Sequence, residues 1–421
     1  MNPQSNSAAQ GSAQTPERLA EQPSEQPKGQ LFEPDSAQHQ ADPGYRHLTG
    51  QSAVSADHAS FLPTPTVRLS RLFPGAGAQI YAKLDNLQMT GSTKERTAAS
   101  LLDAAFESGA LASGGTVVES TSGNLGMALA RQSALRGVRF IAVVDERANV
   151  AACQVMRAFG AEVDVVPTPA DGNRLRARVE RVAQLLSSID GAITTNQYGN
   201  LNNPKAHATS TLPELCEALG GAPDRLFVAT STTGTLLGCL QGVAELGVNT
   251  LVVGVDSQGS VLFGGCSAER FLPGLGAGFE TELSMLAHPH ALHRMPEVQM
   301  VRGARLLAAR EGILAGASTG ALVAAVGVSL AHAALAPRSS DERWAFLVHD
   351  GGLPYLPNVF NDEWVADSLG YVPAQDGGLT DDNPFSGCAE VAQLGDFPAP
   401  SGVPDGRVGC VVEYPTSGDV L

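Results

Sequence analysis

The chain has 421 residues, enough for two or three domains with their own cores, and carries 27 lysines and arginines against 43 aspartates and glutamates. The formal charge of −16 argues against a nucleic-acid partner and against an anionic membrane surface, because like charges repel. Six cysteines (Cys153, Cys216, Cys239, Cys266, Cys388 and Cys410) show no CxxC or Cys/His spacing, which argues against a metal site and for thiols in a reducing compartment.

In chain order, residues 1–46 are rich in Gln, Ser, Pro and Ala and read as a disordered arm, with no apolar run of the signal-peptide kind. Residues 47–375 read as the core, opened by Phe61–Leu69, FLPTPTVRL. Gln79–Leu84 is an apolar, β-favouring run that enters a polar turn, Gly91-Ser92-Thr93-Lys94, and then an alanine-rich helix. Gly91 permits the tight backbone, and Ser92 or Thr93 is placed to cap the helix. Lys94 falls in the first turn, near unpaired N–H groups and the positive end of the dipole, where a cationic amine is disfavoured. A neutral amine suits a Schiff-base lysine; the plain alternative is a solvated lysine at a helix start.

Thr116–Glu119 reads as a strand, followed by Ser-Thr-Ser-Gly-Asn-Leu-Gly and a helix over Gly123–Arg136. Val138–Val144 and Glu162–Val166 read as strands around a helix over Asn149–Phe159. A longer helix, Asn173–Asp190, carries Leu175, Val179, Val182, Leu185 and Leu186 on one face. Ala192–Thr195 reads as a strand and Pro204–Leu219 as largely helical. Strands at Leu226–Ala229 and Thr250–Asp256 flank a hydroxyl-rich loop, Ser231–Thr235, and its helix. Leu314–Ala317 and Ala345–His349 complete the strands, and Thr319–Ala336 reads as a buried helix too short to span a membrane. Continuous apolar strands alternating with helices imply parallel sheets covered on both faces, with ligands at the strands' C-terminal ends. All three polar loops fall there, at helix starts suited to anions. Residues 376–421 are rich in Gly, Pro and Asp, with one β-like run at Arg407–Tyr414, and read as a tail or small appendage.

Gly-Ser-Thr-Lys-Glu-Arg, then Thr-Ser-Gly-Asn-Leu-Gly, then Ser-Thr-Thr-Gly-Thr resembles the fold type II pyridoxal-phosphate enzymes, the group of the cysteine synthases and cystathionine β-synthases. The resemblance runs from about Phe61 to about Trp364. It implies an α/β fold of the tryptophan synthase β type: two parallel-sheet, three-layer domains with pyridoxal 5′-phosphate between them, the smaller over about 85–205. It implies that Lys94 carries the cofactor and acts as the catalytic base. Ser231, Thr232, Thr233, Gly234 and Thr235 are expected to hold the cofactor phosphate, although the usual Gly-Thr-Gly-Gly-Thr loop has here exchanged two glycines for Ser231 and Thr233. Asn124 is expected at the cofactor's 3-hydroxyl oxygen. Thr121, Ser122, Gly123 and Gln197 are expected at the substrate carboxylate. Ser318, next to Thr319, is expected at the pyridine nitrogen, where a hydroxyl makes the ring a weaker electron sink than a carboxylate would and favours β-elimination and β-replacement.

Within that group, Leu125, the VDSQGSVLFG and RFLPGLG stretches and Asn361-Asp362-Glu363-Trp364 resemble the synthases of 2,3-diaminopropionate biosynthesis, a route to siderophores and peptide antibiotics. These imply O-phospho-L-serine and L-glutamate as substrates and a ping-pong course. Gly352-Leu353-Pro354 departs from the charged run usual there. A departing phosphate needs a cation, and Arg96, Arg147, Lys205 and Arg270 are the candidates. The rival readings are cysteine synthesis with sulfide, a serine or threonine dehydratase, and a binding protein without turnover. The resemblance further implies a homodimer acting on small molecules, while the polar N-terminus implies a cytosolic location and the cysteine spacing implies no metal.

Overall fold

The computed structural model describes residues 61–170, 172–372, 381–391, 393–397 and 409–413, all within the unit Val54–Leu421. The arm expected over residues 1–46 lies outside them.

The elements follow the apolar pattern of the chain. They run β1 (Thr66–Leu69), β2 (Gln79–Lys83), α1 (Lys94–Glu107), β3 (Thr116–Ser120), α2 (Asn124–Leu135), β4 (Arg139–Asp145), α3 (Val150–Ala158), β5 (Glu162–Val166) and α4 (Arg174–Ser188). After α5 (Asn202–Ala206) one π-helical turn, His207–Thr211, leads into α6 (Leu212–Leu219). Then come β6 (Arg225–Ala229), α7 (Gly234–Leu246), β7 (Leu251–Ser257), α8 (Glu282–Leu286), β8 (Ala291–Met295), α9 (Glu297–Glu311), α10 (Ala317–Ala331), β9 (Arg343–Leu347), α11 (Asp362–Leu369), α12 (Ser386–Val391), β10 (Gln393–Phe397) and β11 (Gly409–Glu413).

Two sheets result. The smaller is parallel, in the order β3-β4-β5. The larger has the order β1-β2-β9-β6-β7-β8-β11-β10, parallel except at its two edges, where β1 and β10 run antiparallel to their neighbours. Both faces of each sheet are covered, as continuous apolar strands whose successive side chains point to opposite faces require. In β4, Phe140, Ala142 and Val144 pack toward α2 and α3, while Ile141 and Val143 pack toward Val182, Leu185 and Leu186 of α4. In β6, Phe227 and Ala229 join the α9–α10 side, and Leu226 and Val228 the α6–α7 side.

Several expectations need correction. Ala192–Thr195 forms only a single bridge, Ile193 to Val117, because Thr194, Thr195 and Asn196 turn instead to donate to the buried Glu119 carboxylate. Leu314–Ala317 likewise forms one bridge, Ala315 to Gly351, at the entrance to α10. Of the apolar face of α4, Leu175 and Val179 remain exposed. β8 and α9 carry no sequence expectation at all. From the stretch read as a tail, β11 pairs in parallel with β8 and carries the large sheet onward.

Candidate active site

The polar loops all follow C-terminal strand ends: β2 feeds the lysine turn, β3 the Asn124 loop, β6 the hydroxyl loop, and β9 the His349–Gly352 loop. Gly91 takes the left-handed φ of +77° that the lysine turn requires. Neither expected cap forms. Thr93 donates its hydroxyl to Asp85 Oδ2 at 2.9 Å, and the Ser92 hydroxyl is buried without a partner. Lys94 begins α1, and burial lowers its amine from the ordinary 10.5 to about 8, with Asp350 opposing the shift. Desolvation thus shifts the amine toward its neutral form.

Asn124 opens α2 and donates its amide N–H to Asp350 Oδ2 at 2.8 Å. Ser318 sits buried in the first turn of α10. Its neighbour Thr319 is committed elsewhere, accepting the His349 N–H at 3.2 Å. Thr121 is buried, with its N–H on the Val143 carbonyl, and Ser122 and Gly123 lie partly open beside it. Gln197 is buried, and its carbonyl accepts from Asn203 Nδ2 at 2.8 Å.

The hydroxyl loop is shaped from below by two residues that carry no motif. Asn203 Nδ2 also donates to Thr232 Oγ1 at 3.2 Å and packs so tightly that a Cβ on Gly234 would come within 2.1 Å of it. His207 Nε2 lies 3.2 Å from the hydroxyls of both Thr97 in α1 and Thr235 in the loop. Burial, with Lys94 as the next cause, holds the His207 imidazole well below its ordinary pKa, and therefore neutral. Thr233 adopts a left-handed φ of +73°, and its hydroxyl is buried without a partner. Ser231 donates to the Gly276 carbonyl at 3.3 Å.

The structure therefore joins the predicted residues through contacts the sequence did not reveal: Lys94, Asn124 and Ser318 around Asp350, and the hydroxyl loop to α1 through Asn203 and His207. Of the four candidate cations, Arg96 is removed from contention. It is fully buried, with Nη1 2.6 Å from Glu214 Oε1 and Nη2 3.2 Å from Asp85 Oδ1. Arg147 and Lys205 are exposed. Arg270 lies beside the hydroxyl loop, its Nη1 on the Leu275 carbonyl at 2.9 Å.

A buried amine of lowered pKa, an unpartnered hydroxyl in a helix-start loop, an amide and a buried serine suit a ligand with an aldehyde, a phosphate and polar ring substituents. Pyridoxal phosphate has these groups. Among the described residues no group of three or more His, Cys, Asp or Glu is arranged to hold a metal, and no helix is long and apolar enough to cross a membrane.

A family model described as pyridoxal-phosphate dependent enzyme matches residues 59–350. Two curated relatives, both N-(2-amino-2-carboxyethyl)-L-glutamate synthases, come from Ralstonia nicotianae and Cupriavidus metallidurans. Each is 38% identical over 304 residues, covering 72% of this chain and 88% or 89% of the relative. Among solved structures, the O-acetylserine-dependent cystathionine β-synthase of Helicobacter pylori is similar at a TM-score of 0.66 and 26% identity, over 73% of this chain and 99% of that one. O-ureido-L-serine synthase is similar at 0.64 and 30%, over 75% of this chain and 100% of that one.

Proposed function

Because this chain belongs to the family of pyridoxal-phosphate-dependent enzymes, we propose that it condenses O-phospho-L-serine with L-glutamate, releasing phosphate and forming N-(2-amino-2-carboxyethyl)-L-glutamate. The observation that carries this reading is the 38% identity to two synthases of that product along nearly nine-tenths of their length. The likeness to O-ureido-L-serine synthase supports replacement at a serine β-carbon. The product points onward to 2,3-diaminopropionate.

When bound, pyridoxal phosphate supplies an electron-withdrawing ring that stabilises negative charge at the substrate Cα. Lys94 would hold the cofactor, and its amine, once freed by the incoming amino acid, would take up the Cα proton and later return it. The Ser231–Thr235 loop binds the cofactor phosphate with its hydroxyls and with N–H groups at the start of α7. Asn124 and Ser318 fix the ring. Thr121, Ser122, Gly123 and Gln197 receive the amino-acid carboxylate. The leaving phosphate goes to Arg147, Lys205 or Arg270, since Arg96 is committed to Asp85 and Glu214.

The enzyme acts in the cytosol as a homodimer. Exposed Leu87 and Met89 on the lysine segment and Leu353 and Leu356 after β9 supply apolar surface for a second copy, and the two segments meet where Gly351 N–H donates to the Gly91 carbonyl.

The test is an absorbance titration of the purified protein, with O-phospho-L-serine followed by L-glutamate. A cofactor band that shifts with phosphoserine and reverts with glutamate, but not with sulfide, supports the reading. A shift with O-acetylserine that sulfide reverses identifies a cysteine synthase instead. Accumulation of pyruvate identifies a dehydratase.

A further inference from the structure

Asn203 in α5 and His207 in the π-helical turn that follows are fully buried against the hydroxyl loop. Gly238 lets α7 pack this closely, since a Cβ there would come within 2.2 Å of the Pro204 carbonyl and 2.8 Å of His207 Cβ. Asn203 Nδ2 donates one proton to the Gln197 carbonyl at 2.8 Å and the other to Thr232 Oγ1 at 3.2 Å. A backbone carbonyl can only accept, so it fixes which atom of the amide is the nitrogen. Asn203 Oδ1 is therefore the acceptor that meets Thr97 Oγ1 at 3.3 Å, and the proton between them belongs to Thr97. Thr97 then has only lone pairs to offer His207 Nε2, 3.2 Å away, so that nitrogen carries a proton. The other side of the ring gives the same answer. Nδ1 lies 2.9 Å from the hydroxyl of Thr211, which is fully buried and has no other side-chain partner among the described residues. The Thr211 proton needs Nδ1 as its acceptor, which again leaves the single proton of the neutral ring on Nε2.

Nε2–H also meets Thr235 Oγ1 at 3.2 Å, so Thr235 accepts from His207 as Thr232 accepts from Asn203. Thr232 Oγ1 accepts a second time from the Gly234 N–H at 3.4 Å. Neither threonine has an acceptor for its own proton among the described residues, and the Thr233 hydroxyl between them is buried without a partner. Three hydroxyl protons are thus left over in one loop, at the start of α7, where backbone N–H groups lack helical partners as well. We propose that His207 and Asn203 are positioning residues that, by donating to Thr235 and Thr232, turn both hydroxyl protons toward the cofactor phosphate. A lone pair on Nε2 would do the reverse: Thr235 would spend its proton on the ring and present only lone pairs to an anion. A hydroxyl that already accepts a hydrogen bond is also the stronger donor, because linked hydrogen bonds polarise one another. The inference rests on the reading of this site as a pyridoxal-phosphate site.

The experiment is a pair of equilibrium titrations of the apoenzyme, with pyridoxal 5′-phosphate and with pyridoxal, which lacks the phosphate. His207→Phe, a ring without the N–H, is expected to weaken binding of the phosphate-bearing cofactor about tenfold, the worth of one charge-assisted hydrogen bond, and to leave pyridoxal binding unchanged. His207→Gln, which restores a side-chain N–H, is expected to recover most of the loss. Equal losses for both ligands, or no loss in His207→Phe, overturn the proposal. Neutron diffraction from deuterated wild-type holoenzyme crystals decides the matter if the variants do not fold. Deuterium is expected on His207 Nε2, with the Thr232 and Thr235 hydroxyls turned to the phosphate. Deuterium on Nδ1 alone, or a Thr235 hydroxyl turned to the ring, overturns the proposal while bound cofactor leaves the functional reading intact. A protein that takes up no pyridoxal phosphate overturns both.

Discussion

Thr233 shows how much the conformation of one residue constrains the hydroxyl loop. A β-branched side chain in the left-handed region costs about 1–2 kcal/mol, and glycine there recovers that while losing about 0.5–1 kcal/mol of chain entropy. Thr233→Gly is therefore expected to leave the melting temperature of the apoprotein unchanged or slightly raised. It is expected to weaken pyridoxal-phosphate binding several-fold, because an unpartnered buried hydroxyl is lost from the loop. Thermal melts and a cofactor titration check both halves, and undiminished binding would show that this hydroxyl does not serve the phosphate. Residues such as Thr233 and Lys94 were legible because each sits in a contiguous motif after a strand. Asp350 was not. A lone aspartate in His-Asp-Gly-Gly has no periodicity, and its place in the site shows only in its contact with Asn124, 226 residues away in the chain. Asn203 and His207 were hidden for the same reason, being recognisable only from what they touch.

The elements that carry Lys94 are fastened by charge rather than by apolar packing alone. Lys83 at the end of β2, Asp85 just after it and Arg96 in α1 are buried and form, with the half-buried Glu214 in α6, a set of two cations and two anions, with Lys83 Nζ 2.7 Å from Glu214 Oε2. Burial works against the Asp85 anion, yet Arg96 and Lys83 bring its pKa below the ordinary value. Removing one member leaves its partners charged in a dry site, which costs about 3–5 kcal/mol. Arg96→Leu is accordingly expected to lower unfolding stability by that amount in denaturant titrations and to loosen the lysine turn. A loss below about 1 kcal/mol, the value of a solvated pair, would show that water reaches the set. The strands of this region were legible from apolar runs such as VRFIAVV. β8, ALHRM, was not: its His and Arg disguise a strand whose Leu292 and Met295 are fully buried. Two short apolar runs were over-read as strands, at Ala192–Thr195 and Leu314–Ala317, because hydrophobicity over four residues cannot reveal that side-chain hydrogen bonds and loop closure claim the backbone first.

At the scale of the whole molecule, alternating strands and helices were enough to indicate parallel sheets covered on both faces, and the family resemblance that there are two, but not the order of the strands, which depends on pairings between distant segments. β11 is the plainest case: a β-like run in a Gly- and Pro-rich stretch gave no sign of its neighbour. It covers the edge of β8, and Arg294 Nε lies 2.7 Å from Glu413 Oε1 across that junction. A chain ending at residue 392 is expected to expose that edge and to self-associate, as exposed parallel edges do. Light scattering checks this, and a monodisperse variant with an unchanged melting temperature would show the two strands to be dispensable. Strand order also has a consequence in time. The small sheet uses contiguous chain from Thr116 to Val166 and can form while synthesis continues. In the large sheet Gln79 pairs with Arg343, so β2, already beside β1, waits for nearly the whole polypeptide before its second neighbour, β9, exists. The nascent chain thus carries Lys94 long before the loop containing Asp350 is made, and the proposed site is complete only near the end of translation.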